Sequence, residues 1–202
     1  MAELLREMLA ELRGWSGLEA AAVILAILYL LLAIRQNIWC WLCAGISTAI
    51  YVYLFLDARL YMESGLNVFY FGMAIYGWSV WYYGRSDEHE LPVSVWPFRV
   101  HGYALGAIGI ASLISGYLLD NHTQAAFPYI DSMTTWGAIW ATFLVARKVL
   151  ENWWYWLVID LASIFIYWLR DLHLTSLLFL VYVIMIPFGL IAWTRSWREA
   201  RV

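Results

Sequence analysis

Seven apolar runs succeed one another along this chain, separated only by short charged or turn-rich connectors. A single helix needs about 20 mostly apolar residues to cross a bilayer. Within hydrocarbon every backbone N–H and C=O must find a protein partner, which leaves helices or closed barrels. Runs of this length predict helices, at residues 18–34, 37–56, 60–83, 102–119, 132–146, 153–169 and 174–193. Composition points the same way. The 202 residues are 64% hydrophobic and 13% charged, with 14 Trp and 14 Tyr, too apolar for a soluble domain. No connector is long enough for a soluble domain, so any chemistry belongs inside the bundle or in short loops.

The opening "MAELLREMLAELRG" sets Leu4, Leu5, Met8, Leu9 and Leu12 on one helical face and charges on the other. It reads as an interfacial amphipathic helix and not as a signal peptide. Two polar connectors, "GRSDEHELPVSVWP" and "DNHTQAAFPYID", flank the fourth run. The chain therefore divides as three spans, one lone span and three more. The expected units are an interfacial helix at 1–15, a first three-helix repeat at 16–84, a linker with the fourth span at 85–126, a second three-helix repeat at 127–195 and a tail at 196–202.

The two triplets resemble each other. Asn37, Trp39, Trp41 and Leu42 match Asn152, Trp154, Trp156 and Leu157 at an offset of 115, and Asp57 and Leu60 match Asp171 and Leu174 at 114. Trp-rich spans also produce such matches by chance. A single helix between two triplets restores orientation, so the expected fold is an all-α membrane protein of two parallel repeats with a site between them. Arg35, Arg85, Arg99, Arg147, Lys148, Arg195, Arg198 and Arg201 fall on one side, and Arg6, Arg13, Arg59 and Arg170 on the other. The excess of basic residues marks the cytoplasmic side, which predicts an outside N-terminus and a cytoplasmic C-terminus.

The stretch "ENWWYWLVID" ends on Asp160, about two turns into the sixth run. An ionised Asp at a span centre costs on the order of 3 kcal/mol on insertion scales. At about 100° per residue, Trp153, Trp156, Asp160, Ser163 and Tyr167 share a stripe roughly 80° wide. Indole faces attract cations, so aromatic walls with one carboxylate suit a flat, positively charged organic molecule. The plainer alternative is that Asp160 pairs with an arginine or a backbone group while the tryptophans anchor at the interface. On the third run Glu63, Asn67, Tyr70, Ala74, Gly77 and Trp81 recur on one face. Glu63 lies near the turn and serves equally as a water-facing carboxylate, whereas the deeper Asn67 amide can both donate and accept. On the fifth run Asp131, Thr135, Ala138 and Thr142 align, with Asp131 either a helix cap or a ligand contact. On the second run Trp41, Gly45 and Thr48 align. Together these faces are expected to wall a polar, aromatic cavity, although the small residues also suit helix packing.

Cys40 and Cys43 form a C-x-x-C inside an apolar run without a second ligand pair, which reads as packing more than as a redox or metal site. The histidines His89, His101, His122 and His173 fall in loops or at span ends without metal-site spacing. The chain shows no Gly-rich phosphate loop, nucleophile elbow or basic nucleic-acid patch. No metal, cofactor or nucleic-acid partner is expected. An intramembrane enzyme would have to use Asp160, Glu63 or Asp131, which sit on different spans without a recognisable nucleophile. A non-transporting scaffold would leave the aligned polar stripes without a purpose.

The stretches "LYMESGLNVFYFGMAIYGWSVWYYG" and "DSMTTWGAIWATFLVARKVLENWWYWLVID" resemble the Pnu family of bacterial vitamin transporters, typified by nicotinamide riboside transporters, over residues 20–195. The specific pieces are "YGW" late in the third run, R-K-x-x-E-N-W entering the sixth, and W-x-x-W-x-x-x-D. The resemblance implies a three-plus-one-plus-three architecture related to the SWEET transporters and a homotrimer in the bacterial inner membrane. It also implies facilitated diffusion, with trapping by a cytoplasmic vitamin kinase. It carries substrate-binding roles onto Trp153 and Trp156. Asp160 stands where the nicotinamide riboside branch resembles Asn, and Asn67 where that branch tends to Gln. "ENWxYWxxID" looks more like the thiamine branch, so thiamine is the expected substrate, with nicotinamide riboside as the alternative.

Overall fold

The computed structural model describes residues 17–57, 59, 61–84, 91–123 and 126–201, with the backbone alone at 61–63. The expected interfacial helix at 1–15 lies outside these residues, as does the side chain of Glu63. Among the described residues the fold is entirely helical. The helices are α1 (Gly17–Ile34), α2 (Trp39–Asp57), α3 (Tyr61–Tyr83), α4 (Phe98–His122), α5 (Pro128–Ala146), α6 (Asn152–Leu169) and α7 (His173–Glu199). Each covers an expected span. Four of them, α1, α2, α4 and α7, are long and apolar enough by length and composition to cross a membrane. The other three, α3, α5 and α6, carry Asn67, Thr134, Thr135, Thr142, Asn152, Asp160 and Ser163.

The helices end abruptly at backbone signals rather than at glycines. Gln36, Arg59, Lys148 and Asp171 take positive φ between 49° and 59°. After α1, α5 and α6 the left-handed residue closes a Schellman motif: Gln36 N bonds Ala33 O and Asn37 N bonds Leu32 O, with matching pairs at Lys148 and Val149 and at Asp171 and Leu172. At its other end α5 starts on Pro128, whose missing N–H costs nothing in a first turn. Asp131 is therefore not its cap, which is Phe127; it sits in the first turn, where a negative charge meets the positive end of the helix dipole.

Packing runs in sequence order, α1 on α2 on α3 and α5 on α6 on α7, with α4 against α5. Among the described residues only two helix pairs join the triplets, α3 with α5 and α1 with α7, and both are less extensive than the packing within a triplet. The second polar half of the first connector is not a free loop. Ser94 N donates to Lys148 O at 2.9 Å and Leu150 N to Ser94 O at 2.8 Å, Val93 is buried, and the Trp96 ring packs on Trp140 and Phe143.

Equivalent features recur at an offset of 112, which corrects the 115 expected from the W-x-W match. Gln36 and Lys148 are both left-handed, and so are Arg59 and Asp171. Ser64 Oγ donates to Val52 O at 3.2 Å, and Ser176 Oγ to Ile164 O at 3.1 Å. Trp41 lies edge-on to Trp81 at 5.6 Å, and Trp153 edge-on to Trp193 at 5.5 Å. Trp41 covers Gly77, and Trp153 covers Gly189. Trp41 thus corresponds to Trp153, and Ala44 to Trp156. The local match was misleading because adjacent tryptophans in "NWWYW" offer several registers, whereas the true register is carried by single residues far apart.

Candidate functional site

Between the triplets lies a cavity of about 430 Å³, within the range of small-ligand sites. Every described helix except α4 contributes to its wall. Ten pairs of lining residues are related by the offset of 112, among them Trp41 with Trp153, Ala44 with Trp156, Thr48 with Asp160, Asn67 with Phe179 and Tyr70 with Tyr182. The cavity therefore sits on the relation between the halves, and its asymmetry lies in the pairs that differ.

Eleven of the residues singled out from sequence meet here: Trp41, Thr48, Asn67, Tyr70, Thr135, Ala138, Thr142, Trp153, Trp156, Asp160 and Ser163. Asp131 and Tyr167 do not. Asp131 sits too near the start of α5 to line the wall. Tyr167 lies one turn beyond Ser163 and stacks on Phe179 at 5.3 Å and 13°, so Phe179 presents the ring instead. Glu63 lies outside the described side chains. Gly45, aligned with Trp41 and Thr48 by periodicity, is directed elsewhere: a Cβ added there would meet Ala74 and Phe71 at 3.8 and 3.9 Å. Sequence reasoning missed Tyr29 on α1 and Phe179 and Tyr182 on α7. These are lone aromatics in long apolar runs, and the offset of 112 from Tyr70 is the signal that would have found Tyr182.

Asp160 is 3% exposed, and its Oδ1 has no hydrogen-bond partner among the described residues. No lysine, arginine or histidine is among the residues lining the cavity, so the alternative in which Asp160 pairs with an arginine finds no partner there. A buried carboxylate without a partner is costly, and the open wall beside it is aromatic. Thr48, its counterpart, turns its hydroxyl back to Ala44 O at 2.8 Å and so presents a neutral surface. Asn152 is fully buried, with Nδ2 on Val149 O at 2.7 Å and Oδ1 unpartnered among the described residues. Cys40 is buried and Cys43 half-buried, both as free thiols. His101 lies at a span end, in the first turn of α4, buried, with Nδ1 3.0 Å from Tyr155 Oη.

A helical membrane bundle with an aromatic cavity between its helices, and a carboxylate on one wall, suits a carrier of small molecules. Residues 16–195 match the family model described as nicotinamide mononucleotide transporter, and the chain belongs to that family. The nicotinamide riboside transporter PnuC of Escherichia coli (strain K12) is 27% identical over 214 residues, covering 91% of this chain and 87% of that protein. The riboflavin/roseoflavin transporter RibM of Streptomyces davaonensis is 25% identical over 186 residues, 88% of this chain and 85% of that one. The crystal structure of the vitamin B3 transporter PnuC shares the fold, with a TM-score of 0.72 at 22% identity, covering 97% of this chain and 88% of that one. Thiamine, favoured from the sequence, is not in the names of these relatives.

Proposed function

We propose that this protein is a vitamin carrier that moves nicotinamide riboside by facilitated diffusion, with uptake drawn onward by a cytoplasmic kinase. The observation that carries the reading is Asp160, buried on an aromatic wall with its Oδ1 unpartnered among the described residues. Nicotinamide riboside is a pyridinium cation, and a carboxylate in a partly dry site offsets the cost of burying that charge. The absence of a basic residue from the cavity lining favours the nucleoside over a phosphorylated mononucleotide. Riboflavin is neutral and brings no positive charge for Asp160 to pair with. Thiamine is the second reading, because its thiazolium charge meets the same carboxylate.

In this reading Trp41, Thr48, Asn67, Tyr70, Thr135, Trp153, Trp156, Asp160 and Ser163 bind substrate. The features that recur at an offset of 112 support two three-helix repeats around linker helix α4, with units near 16–84, 85–126 and 127–195. The distribution of Lys and Arg supports a cytoplasmic C-terminus, and the family resemblance supports a homotrimer in the inner membrane.

Calorimetry on purified protein with nicotinamide riboside, thiamine and riboflavin tests the assignment. Nicotinamide riboside is expected to bind tightest, and Asp160→Asn to weaken it at least about tenfold, roughly 1.4 kcal/mol. Equal binding by a folded Asp160→Asn refutes the role of the carboxylate. Tighter binding of thiamine by the native chain moves the assignment to that vitamin. In proteoliposomes substrate should equilibrate without concentrating, and accumulation driven by a proton or sodium gradient excludes passive transport.

A further inference from the structure

At the end of the bundle that carries Arg35, Arg147 and Lys148, the two halves are fastened by a reciprocal set of contacts. Trp81 on α3 donates from Nε1 to Ala146 O, the last carbonyl of α5, at 3.1 Å. Trp193 on α7 donates from Nε1 to Ala33 O, near the end of α1, at 3.0 Å. Each half thus lends a tryptophan to cap the other half's first helix. The two rings also meet, at 6.5 Å between centroids, and each lies edge-on to a tryptophan of its own half. The result is a continuous row, Trp41, Trp81, Trp193, Trp153, whose outer members line the cavity. All four are 3% exposed or less.

Behind the row, Lys148 Nζ donates to Gln36 Oε1 at 3.2 Å and lies 4.6 Å over the Trp81 ring. Gln36 and Lys148 are themselves equivalent at the offset of 112, and both are left-handed. This contact joins a pair of equivalent residues to each other.

We propose that this row of tryptophans, braced by Lys148 and Gln36, is the gate that closes the cavity toward the basic end. It opens when α3 leaves α5 and α7 leaves α1 together. Those are the only helix pairs that join the triplets among the described residues, and both are thinner than the packing inside a triplet. Halves that are tight within and thin between part as bodies. The two indole donors are equivalent at the offset of 112 and their acceptors lie within one residue of equivalence, so separation of the halves strains both bonds. The inference builds on the carrier reading, but its test reads access to a thiol, so the two fail separately.

Cys40 is a native reporter. It is fully buried and belongs to the same cluster as Trp81 and Trp193. In a Cys43→Ser background, a membrane-impermeant maleimide is applied to vesicles of each orientation. Trp81→Phe with Trp193→Phe removes both indole donors and keeps aromatic rings. Lys148→Met removes the brace and keeps all four tryptophans. Each is expected to raise labelling of Cys40 at least about threefold from the basic end and to leave the opposite face unchanged. Should the double Phe variant fail to give a monodisperse protein, Lys148→Met decides alone. Unchanged labelling in folded variants, or an equal rise from both faces, overturns the gate.

Discussion

Gly189→Ala isolates the fit between Trp153 and α7. A Cβ at Gly189 would lie closer than 3.0 Å to three carbons at the far edge of the Trp153 indole, a separation real Cβ atoms essentially never show. Recovering ordinary contact requires the ring to retreat by roughly 1.5 Å. Trp193 already stands edge-on to it at 5.5 Å, and Trp153 is only 2% exposed. The space that remains is the cavity. Overpacking of this kind costs roughly 1–3 kcal/mol, against which alanine returns up to about 1 kcal/mol of helix propensity. Gly106 on α4 supplies the control, since nothing lies within 4 Å of its Cβ position. Gly106→Ala therefore keeps the propensity gain without the clash, and the difference between the two variants reads the clash alone. Thermal unfolding in detergent should place Gly189→Ala below Gly106→Ala by about 1–3 kcal/mol. Calorimetry should show its substrate affinity down about tenfold, roughly 1.4 kcal/mol. Adding Trp153→Phe shortens the ring and should return at least about 1 kcal/mol of the stability, as coupling between residues in contact. If Gly189→Ala matches Gly106→Ala in both assays, the indole is not seated on this glycine and the reasoning fails.

The remaining expectations are brief. Ser64→Ala and Ser176→Ala each remove one equivalent bond between helices, so each should cost about 0.5–1.5 kcal/mol; unfolding midpoints that differ by much more than that would deny the equivalence. Tyr155→Phe leaves His101 Nδ1 without its 3.0 Å partner and should cost about 1–3 kcal/mol; hydrogen exchange should then rise in the first turns of α4, and exchange unchanged there would show that the contact does not dock this helix. A C-terminal reporter should be active only in the cytoplasm, and periplasmic activity would reverse the orientation drawn from the Lys and Arg distribution.

The sequence disclosed the helices because hydropathy and helix length answer to the same bilayer thickness. It disclosed most of the cavity lining because a polar side chain on an apolar helix tends to face inward, and Asp160, Ser163, Asn67 and Thr135 lie on the wall. Periodicity alone failed at the ends of the stripes. Asp131 and Tyr167 obey the angle of their helices but lie beyond the depth of the cavity, and angle carries no depth. The contributions of α1 and α7 were hidden for the opposite reason. Tyr29 and Tyr182 stand in runs so apolar that lipid contact explains them as well as burial does. The correspondence between the halves was written in the chain as Trp81 and Trp193, Gly77 and Gly189, Ser64 and Ser176, but each pair is a single match. Only a constant offset across all of them separates that signal from chance.

The bond from Trp193 to Ala33 spans 160 residues, and that distance is also an interval of time. Ribosomes add roughly 5–20 residues per second, so α1 leaves the ribosome roughly 8–30 s before the indole that will cap it exists. For that interval Ala33 O, already bonded to Gln36 N, waits in the newborn first triplet for its second donor. Whatever shelters it until then, whether headgroup water or an insertase, acts on a half that becomes whole only with the arrival of the last helix.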